Sequence, residues 1–341
     1  MIKRQSESKR VVLLVVAVLV LAGCGPAGGE PSAQTVTLAM GFVPNIQFAP
    51  FYVAVEKGFF AEEGITIQFD YGWETDLLKL VGSGDLQFAI ASGDQVILAR
   101  SQELPVLYVL NWYRRFPVCV VSLAGAGIDQ SADLVGRQVG TPVTFGASYI
   151  GWRALLEATG IDESDVELVS IGYTQVPALT EGQVEAAICY AMNEPVQLQV
   201  EGYQVDVIYV ADYMNLVSNG LITNDDTARE QPELVRGMVR AALRGLAYTL
   251  DHPDEAFEIS GRHVPQLAGE GEAVNRAILE ESIRFWRAPL AGLGLSSEQE
   301  WRTSQQIMAQ MELITSEEDV TAMFTNRFVQ EVNLPQLEAG E

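Results

Sequence analysis

The same order of strand-like and helix-like segments occurs twice along this chain, and that duplication limits the fold more than any other feature. Each copy has three short β-branched runs separated by longer segments in which apolar residues recur with a helical period. The third runs match closely, since residues 84–90 read GDLQFAI and residues 182–188 read GQVEAAI. Alternating strands and helices of this kind form sheets of parallel strands covered by helices. The sequence therefore predicts an α/β fold with two doubly wound lobes of like topology.

The second copy lies between two further strand-like runs, near residues 111–121 and 209–223. These two runs would carry the chain from one lobe to the other and back, as a two-strand hinge. We therefore expect lobe 1 to consist of residues 35–113 and 216–335, and lobe 2 to consist of residues 114–215.

The chain beyond Thr223 is predicted to be helical. Possible capping residues at Asp225 and Asp226 precede a series of amphipathic runs. These runs occupy residues 230–250, 270–286, 297–313 and 316–328. We expect the corresponding helices to pack on lobe 1.

The amino terminus is typical of an exported protein. Four basic residues precede an unbroken apolar run at residues 11–22, which closes with Leu-Ala-Gly-Cys at Cys24. As a helix this run would be only about 18 Å long, too short for a hydrocarbon core of about 30 Å. Residues 1–23 are therefore predicted to be a signal peptide. A cysteine at such a small-residue cleavage site resembles the bacterial lipobox, which implies that Cys24 is acylated.

Residues 24–34 are rich in Gly, Pro and Ala and have no apolar period. Such a segment suits a flexible tether between a lipid anchor and a folded body. We therefore expect the body to work on the extracytoplasmic face of the cell membrane, held there by its lipid.

Charge and residue counts exclude several classes of function. The formal net charge is −24, which repels nucleic acid, so no nucleic-acid partner is expected. The chain has only three cysteines and two histidines, without the spacing of a zinc site. No Gly-rich nucleotide loop is present either. We therefore predict no metal, no cofactor and no catalytic residue, and interpret the protein as a binding protein rather than an enzyme.

Two cysteines remain besides Cys24, and both lie in apolar strand-like runs. Cys119 occurs in PVCVVS and Cys189 in AAICYA. An extracytoplasmic setting would permit a disulfide between them, but two small buried thiols are the commoner arrangement.

A ligand site is expected in the cleft where the two lobes face each other. In open doubly wound sheets, ligands lie beyond the carboxyl ends of the strands. Aromatic and polar side chains recur at these ends in both copies, although aromatic residues make up only 9% of the chain. This pattern favours a flat aromatic ligand. The candidate ligand-binding residues are Asn45, Gln47, Tyr71, Trp73, Glu74, Ser92, Asp94, Trp112, Tyr113, Phe145, Tyr173, Tyr190, Asn193 and Glu194.

Two of the predicted helices begin at this cleft. Ser92-Gly93-Asp94 follows the strand QFAIA, and Thr144 to Ala147 precede another helix. Free backbone N–H groups at a helix start can hold an oxygen atom of a ligand. Glu74, Asp94 and Glu194 could be imagined as an acid–base group, but with no nucleophile or metal motif beside them we expect them to accept hydrogen bonds.

Several stretches resemble a known family. GFVPNIQFAPFYVA at residues 41–54 is followed by EKGFF at 56–60, and EGQVEA occurs at 181–186. These segments look like the thiamine-precursor-synthase-like family of ABC-importer binding proteins, and the resemblance covers roughly residues 36–250. It implies the type II periplasmic binding protein fold, with ABC permease and ATPase subunits as partners. Members bind thiamine pyrimidine precursors, riboflavin or sulfonates.

Two departures from the family pattern narrow the choice among these ligands and activities. Pyrimidine synthases that share the fold carry a histidine where this chain has Phe48, and they carry a cysteine cluster that is missing here. The phrase PNIQFAPFYVA, together with Trp112 and Tyr113, is most similar to lipoproteins that bind riboflavin. The resemblance therefore favours riboflavin, ahead of a formylaminopyrimidine and well ahead of a sulfonate. A pyrimidine-synthase-like enzyme and a sensory lipoprotein stay open as alternatives.

Overall fold

The computed structural model of the protein describes residues 33–267 and 269–332. The predicted signal peptide, the predicted lipidation site Cys24 and most of the predicted tether lie outside the described residues. Within the described part of the chain, no helix is both long and apolar enough to cross a membrane.

The strands, numbered in chain order, form two five-stranded sheets. The first sheet contains Gln34–Met40 (β1), Ile65–Tyr71 (β2), Phe88–Ser92 (β3), Val106–Asn111 (β4) and Asn219–Asn224 (β10). The second contains Val118–Leu123 (β5), Gln138–Thr141 (β6), Glu167–Ser170 (β7), Ala186–Tyr190 (β8) and Val205–Tyr209 (β9). The strand orders are β2-β1-β3-β10-β4 and β7-β6-β8-β5-β9, so the duplicated sequence folds into two sheets of equivalent topology.

Helices cover both sheets. Those of the two repeated units are Ala49–Glu56 (α1), Phe59–Glu62 (α2), Glu74–Ser83 (α3), Gly93–Ser101 (α4), Gly146–Thr159 (α5), Gln175–Thr180 (α6), Glu194–Val200 (α7) and Val210–Tyr213 (α8). The carboxyl-terminal part adds Asp225–Glu230 (α9), Pro232–Asp251 (α10), Pro253–Ser260 (α11), Glu272–Trp286 (α12), Glu298–Gln310 (α13) and Arg327–Gln330 (α14).

Both sheets are mixed, whereas parallel strands were expected. In the first sheet β1 is parallel to β3, and β10 is antiparallel to β3 and β4. In the second, β6 is parallel to β7 and β8, and β5 is antiparallel to β8 and β9. The chain crosses between the sheets through residues 112–117 and 210–218. Because β5 and β10 enter from the other sheet, they start at the edge where their neighbours end and must run the opposite way.

The matched strands β3 and β8 begin in the same manner. Gly84 caps α3 with a left-handed backbone, φ 84°, and Gly182 has φ 69° just after α6. Only glycine adopts this conformation without strain, so the two glycines end their helices and turn the chain into the sheet.

The carboxyl-terminal helices depart from expectation in two respects. The first three runs form α10, α12 and α13, but the run at residues 316–328 gives only a 3-10 turn at Val320–Ala322 and the short α14. Phe324 instead forms a β-bridge with Tyr108 of β4. In addition, α12 packs against α7 of the second unit, so these helices do not contact the first sheet alone.

The core is continuous between the sheets. One buried cluster contains Met40 and Ile90 of the first sheet together with Val121 of the second. The other contains Ala89 together with Val120. Each cluster lies on one face of both sheets, so the base of the cleft is tied together by packing as well as by the crossing strands.

Candidate functional site

A pocket lies between the two sheets, at the ends of β1, β2 and β3 on one side and of β6, β7 and β8 on the other. This is the place expected for a doubly wound sheet. The predicted candidates that line the pocket are Asn45, Gln47, Trp73, Glu74, Trp112, Tyr113, Phe145, Tyr173, Tyr190, Asn193 and Glu194. Tyr71, Ser92 and Asp94 are not among the lining residues.

A hydrogen-bond chain joins the two sides of the pocket. The Tyr113 hydroxyl donates to Gln47 Oε1 at 3.0 Å, and Gln47 Nε2 donates to Asn193 Oδ1. Asn45 holds the start of this chain, because its Oδ1 accepts from the Gln47 backbone N–H at 2.9 Å and caps the turn at Ile46–Phe48. Polar side chains from both units are thus fixed at the pocket wall.

Aromatic rings from both sides meet at the mouth of the pocket. Trp73 and Tyr173 stack with ring centroids 5.7 Å apart and an interplanar angle of 24°. Phe42 approaches Tyr173 at 5.8 Å. Trp73, Tyr173 and Phe145 are each about half exposed, at 51%, 50% and 53%. Large apolar rings that stay exposed around a cavity are available to a ligand.

A second aromatic group lies at the base of the pocket and is buried. Trp112 packs against Phe48 at 5.9 Å, Phe51 at 5.2 Å and Trp286 at 5.4 Å. Tyr113 packs edge-on against both Trp112 and Trp286. Only part of each ring faces the cavity, so this group serves the core and the pocket wall together.

Two carboxyl groups lie at one end of the pocket, Glu74 half-buried at the wall and Asp94 fully buried behind it. Glu74 Oε1 accepts hydrogen bonds from the Ser92 hydroxyl, at 2.6 Å, and from the Ser92 backbone N–H. Burial, reinforced by the charge of Asp94, raises the pKa of Glu74 to about 7. Asp94 is fully buried, and burial raises its pKa to about 6. Ser92 therefore holds the Glu74 carboxyl from beneath the pocket, and the charge of Asp94 opposes its ionisation.

In the second unit Glu194 stands at the start of the helix after β8, as Asp94 does at the start of the helix after β3. Glu194 begins α7 and lines the pocket, and its Oε2 is buried without a hydrogen-bond partner among the described residues. Burial raises the pKa of Glu194 to about 7. Near neutral pH, Glu74 and Glu194 can each be ionised or protonated, so each can accept a hydrogen bond from a ligand or donate one.

The two helix starts differ in their contact with the pocket. Gly146 and Ala147, at the start of α5, line the cavity as expected. At the start of α4, the backbone N–H of Ser92 donates to Glu74 and that of Gly93 donates to Ser218 O at 2.9 Å. The protein itself uses these donors.

The tyrosine at the end of β2 faces away from the pocket. The hydroxyls of Tyr71 and Tyr52 share a hydrogen bond of 3.0 Å, and Tyr52 stacks on His263 at 4.6 Å. Tyr71 thus belongs to an aromatic group of the first unit that meets the base of the pocket through Phe48, with ring centroids 6.4 Å apart.

The structure also brings residues to the pocket that were not among the candidates. These are Gly41, Phe42, Phe48, Thr75, Ile90, Pro142, Val143, Gly146, Ala147, Ser148, Gln175, Cys189 and Asn219. Phe42 could have been found from its place directly after β1. Gln175 could likewise have been found from its place two residues after Tyr173, whereas Asn219 carries no comparable signal, because its approach depends on the antiparallel strand β10.

No lysine or arginine lines the pocket, within the residues that the structure describes. In the same residues, no group of three or more His, Cys, Asp or Glu is arranged to hold a metal ion. The pocket therefore offers aromatic surface, amide groups and carboxyl groups, but no cationic side chain for an anionic ligand.

This architecture and pocket agree with the family that the sequence matches. The NMT1/THI5-like family matches residues 45–256, and the chain belongs to this family. Among solved structures, it is similar to the putative periplasmic sulfonate-binding protein SsuA of Methylobacillus flagellatus, with a TM-score of 0.66 and 16% identity, covering 91% of this chain and 96% of that one. That likeness concerns the fold, which is the periplasmic binding protein fold.

Two relatives are similar over almost their whole length. The chain is 43% identical to the riboflavin-binding protein RibY of Chloroflexus aurantiacus, over 88% of this chain and 87% of the relative. It is 31% identical to the formylaminopyrimidine-binding protein of Halalkalibacterium halodurans, over 86% of this chain and 92% of that protein.

Proposed function

We propose that the protein is the extracytoplasmic substrate-binding subunit of an ABC importer and that its ligand is riboflavin. The observation that carries the proposal is the pocket, which presents aromatic rings and hydrogen-bonding groups from both units and, within residues 33–267 and 269–332, no cationic side chain. The 43% identity to a riboflavin-binding protein supports the same ligand.

The exposed rings at the mouth suit a flat heteroaromatic ligand. An isoalloxazine ring would lie between Trp73 and Tyr173, so that each side chain contacts one face of the ligand. Phe145 would extend this apolar surface. Burying about 400 Å² of such a ring contributes about 10 kcal/mol. Two stacking contacts add about 1–3 kcal/mol, and association returns at least about 4 kcal/mol of the total. About 7–9 kcal/mol remains, close to what micromolar binding requires, so no charge pair is needed.

The polar groups of the pocket match the uncharged edge of such a ring system. Asn45 and Asn193 lie on opposite sides of the pocket, and Glu194 also lines it. Amide and carboxyl groups together can satisfy both donors and acceptors of a heterocycle. A phosphate or sulfonate group would lack a cationic partner and would face Glu74 and Glu194, so we infer that the ligand is uncharged.

A formylaminopyrimidine is the second candidate, because the chain is 31% identical to a protein that binds it. Its single small ring would cover less of the aromatic surface at the mouth. It would depend more on the hydrogen bonds of Asn193 and Glu194 for the same affinity.

We propose a binding role in preference to a pyrimidine-synthase-like reaction. Phe48, at the position where the resembling synthases carry histidine, packs its ring against Trp112 at the base of the pocket. The Cys189 thiol is buried and its pKa is raised well above the usual range, which makes it a poor nucleophile. Neither residue provides an activated acid, base or nucleophile.

Attachment and transport complete the proposal. The amino-terminal segment is proposed to be removed as a signal peptide, with acylation of Cys24 holding the body at the membrane surface. Residues 35–113 and 216–335 are proposed to move relative to residues 114–215 about the two crossing segments. ABC permease and ATPase subunits would take up the ligand from this body.

Fluorescence titration tests the ligand, because stacked flavin is quenched by nearby Trp and Tyr rings. Riboflavin is expected to be quenched at micromolar concentration or below, and its phosphate ester to bind more weakly. Trp73→Ala is expected to weaken binding by about 1–3 kcal/mol without unfolding, because the ring is half exposed. Tyr203→Ala, an exposed aromatic residue outside the pocket lining, is the matched control.

If riboflavin binds only at millimolar concentration and a pyrimidine precursor binds tightly, the ligand is the second candidate rather than riboflavin. An equal loss of affinity in Trp73→Ala and Tyr203→Ala would show that the rings at the mouth do not bind the ligand.

A further inference from the structure

Two cysteine side chains meet across neighbouring strands in the second sheet. Cys119 of β5 lies directly opposite Cys189 of β8 in antiparallel register, and their Sγ atoms are 3.5 Å apart. Both are free thiols. Nothing in the proposed binding of a ligand uses them.

The backbone geometry at this pair is compatible with a disulfide. Two residues along, the backbone N–H of Ala191 donates to Pro117 O at 2.8 Å, which marks a hydrogen-bonded pair of the antiparallel ladder. Hydrogen-bonded pairs recur at every second position, so Cys119 and Cys189 form one too, with Cα atoms about 5.5 Å apart. This separation is the commonest one in disulfides. The sulfur atoms must approach from 3.5 Å to about 2 Å. The Cβ atoms, about 5.5 Å apart in such a pair, must approach to about 4 Å, so the bond needs a small inward shift of β5 and β8.

The two thiols differ in their access to the pocket. Cys189 lines the pocket, between Tyr190 and the interior of β8, and Glu194 lies near its sulfur. Cys119 is fully buried behind it, at 0% exposure. A reagent that enters the pocket would therefore reach Cys189 first, and Cys119 only through Cys189.

We propose that Cys119 and Cys189 are a modification site, at which the dithiol is oxidised to a cross-strand disulfide by exchange with an external disulfide that enters through the pocket. Cys189, as thiolate, attacks one sulfur of the external disulfide, forms a mixed disulfide and releases one thiolate. Cys119 then attacks Cys189 Sγ, forms the intramolecular bond and releases the second thiolate. The two protein thiols lose two electrons and two protons, and the external disulfide is reduced to two thiols.

The surroundings of Cys189 control how fast this exchange occurs. Burial, the contact with Cys119 and the charge of Glu194 all raise the pKa of the Cys189 thiol, so little thiolate is present in the folded protein. A ligand in the pocket covers the same sulfur. The exchange is therefore slow and is slowed further by a bound ligand.

The test uses the full chain, first reduced and then incubated with 2-hydroxyethyl disulfide. Thiols that remain are alkylated after denaturation, and peptides are mapped by mass spectrometry. The expected product is a peptide pair linked through Cys119 and Cys189, with both thiols lost together. If both thiols stay alkylatable after prolonged incubation of the folded wild-type chain, the proposal is overturned.

Two single variants test the order of attack. Cys119→Ser is expected to stop at a mixed disulfide on Cys189, whereas Cys189→Ser is expected to leave Cys119 unmodified over the same period. Faster modification of Cys119 in the second variant than of Cys189 in the first would overturn the route through the pocket. Circular dichroism melting of each variant establishes that it is folded before its rate is compared.

A further experiment measures the exchange with riboflavin bound and rests on the proposed function. A negative result in it can be distinguished from the absence of a disulfide. Saturating riboflavin, with binding verified by quenching, is expected to slow formation of the Cys119–Cys189 link by about tenfold or more. An unchanged rate with riboflavin bound would overturn the pocket route. The Cys119–Cys189 peptide pair is measured in the absence of ligand. That measurement therefore tests disulfide formation even if riboflavin is not the ligand.

Discussion

Replacing Glu194 by glutamine is expected to stabilise the folded protein at alkaline pH. The side chain is only partly exposed, toward the pocket, and its Oε2 is buried without a hydrogen bond from any described residue. Burial raises the pKa of Glu194 from 4.5 to about 7, so the folded state disfavours the ionised form. Glutamine has nearly the same shape and carries no charge, so the cost of burying the charge disappears.

The size of the effect follows from the two pKa values. When the folded-state pKa of a carboxyl group is raised, folding is undisturbed below the unfolded-state value and becomes less favourable as pH rises towards the folded-state value. With values of 4.5 and about 7, the cost is below about 0.5 kcal/mol at pH 4.5 and about 3 kcal/mol at pH 8.5. The folded-state pKa already includes the favourable interaction of the charge with the start of α7, so the expected net gain is about 3 kcal/mol at pH 8.5.

Urea unfolding at pH 4.5 and pH 8.5 measures this gain. Glu194→Gln should resemble the wild type at pH 4.5 and have a higher free energy of unfolding at pH 8.5. Glu201→Gln, at the exposed carboxyl end of the same helix, is the matched control and should change little at either pH. The opposite outcome is that Glu194→Gln destabilises the protein at pH 8.5 or gives the same change at both pH values. Burial of the charge would then not be the cause of the raised pKa of Glu194.

Two further variants probe the packing around the pocket. Gly245→Ala should lower the free energy of unfolding by about 1–3 kcal/mol, because the added methyl group would overlap the Pro50 carbonyl where α10 crosses α1. Gly292→Ala, which has open space around it, is its control in the same urea titration. Trp112→Ala should lower the free energy of unfolding by about 3–5 kcal/mol and also weaken riboflavin binding. The reason is that Trp112 is only 2% exposed and packs in the aromatic base of the pocket. Unchanged stability with weakened binding would show that Trp112 contacts the ligand without supporting the core.

The duplicated pattern was enough to predict the strands and the equivalence of the two units. The match between residues 84–90 and 182–188 predicts that β3 and β8 hold the same place in their sheets, and both are central strands. Strand direction could not be predicted in the same way. Whether β5 and β10 run parallel or antiparallel depends on which sheet they come from, and local apolar periodicity carries no information about that.

Candidate site residues could be predicted from the ends of strands, but their individual roles could not. Trp73 and Trp112 have the same residue type and a similar position after a strand, yet one is exposed at the mouth and the other is buried. The difference arises because α12 brings Trp286 against Trp112, whereas Trp73 meets only Tyr173 from the opposite unit. Contacts between segments this far apart along the chain are set by tertiary packing.

The placement of α12 bears on how the two units can move. Trp286 at its end packs on Trp112 and Tyr113 of the first crossing segment, and the helix itself packs on α7 of the second unit. Separation of the units at the base of the cleft would expose these buried rings, whereas separation at the mouth breaks the exposed contacts of Trp73 and Phe42 with Tyr173. Buried aromatic packing costs more to break than exposed contacts. If the two units move as proposed, we therefore expect opening to be a rotation about the base that first uncovers the residues at the mouth.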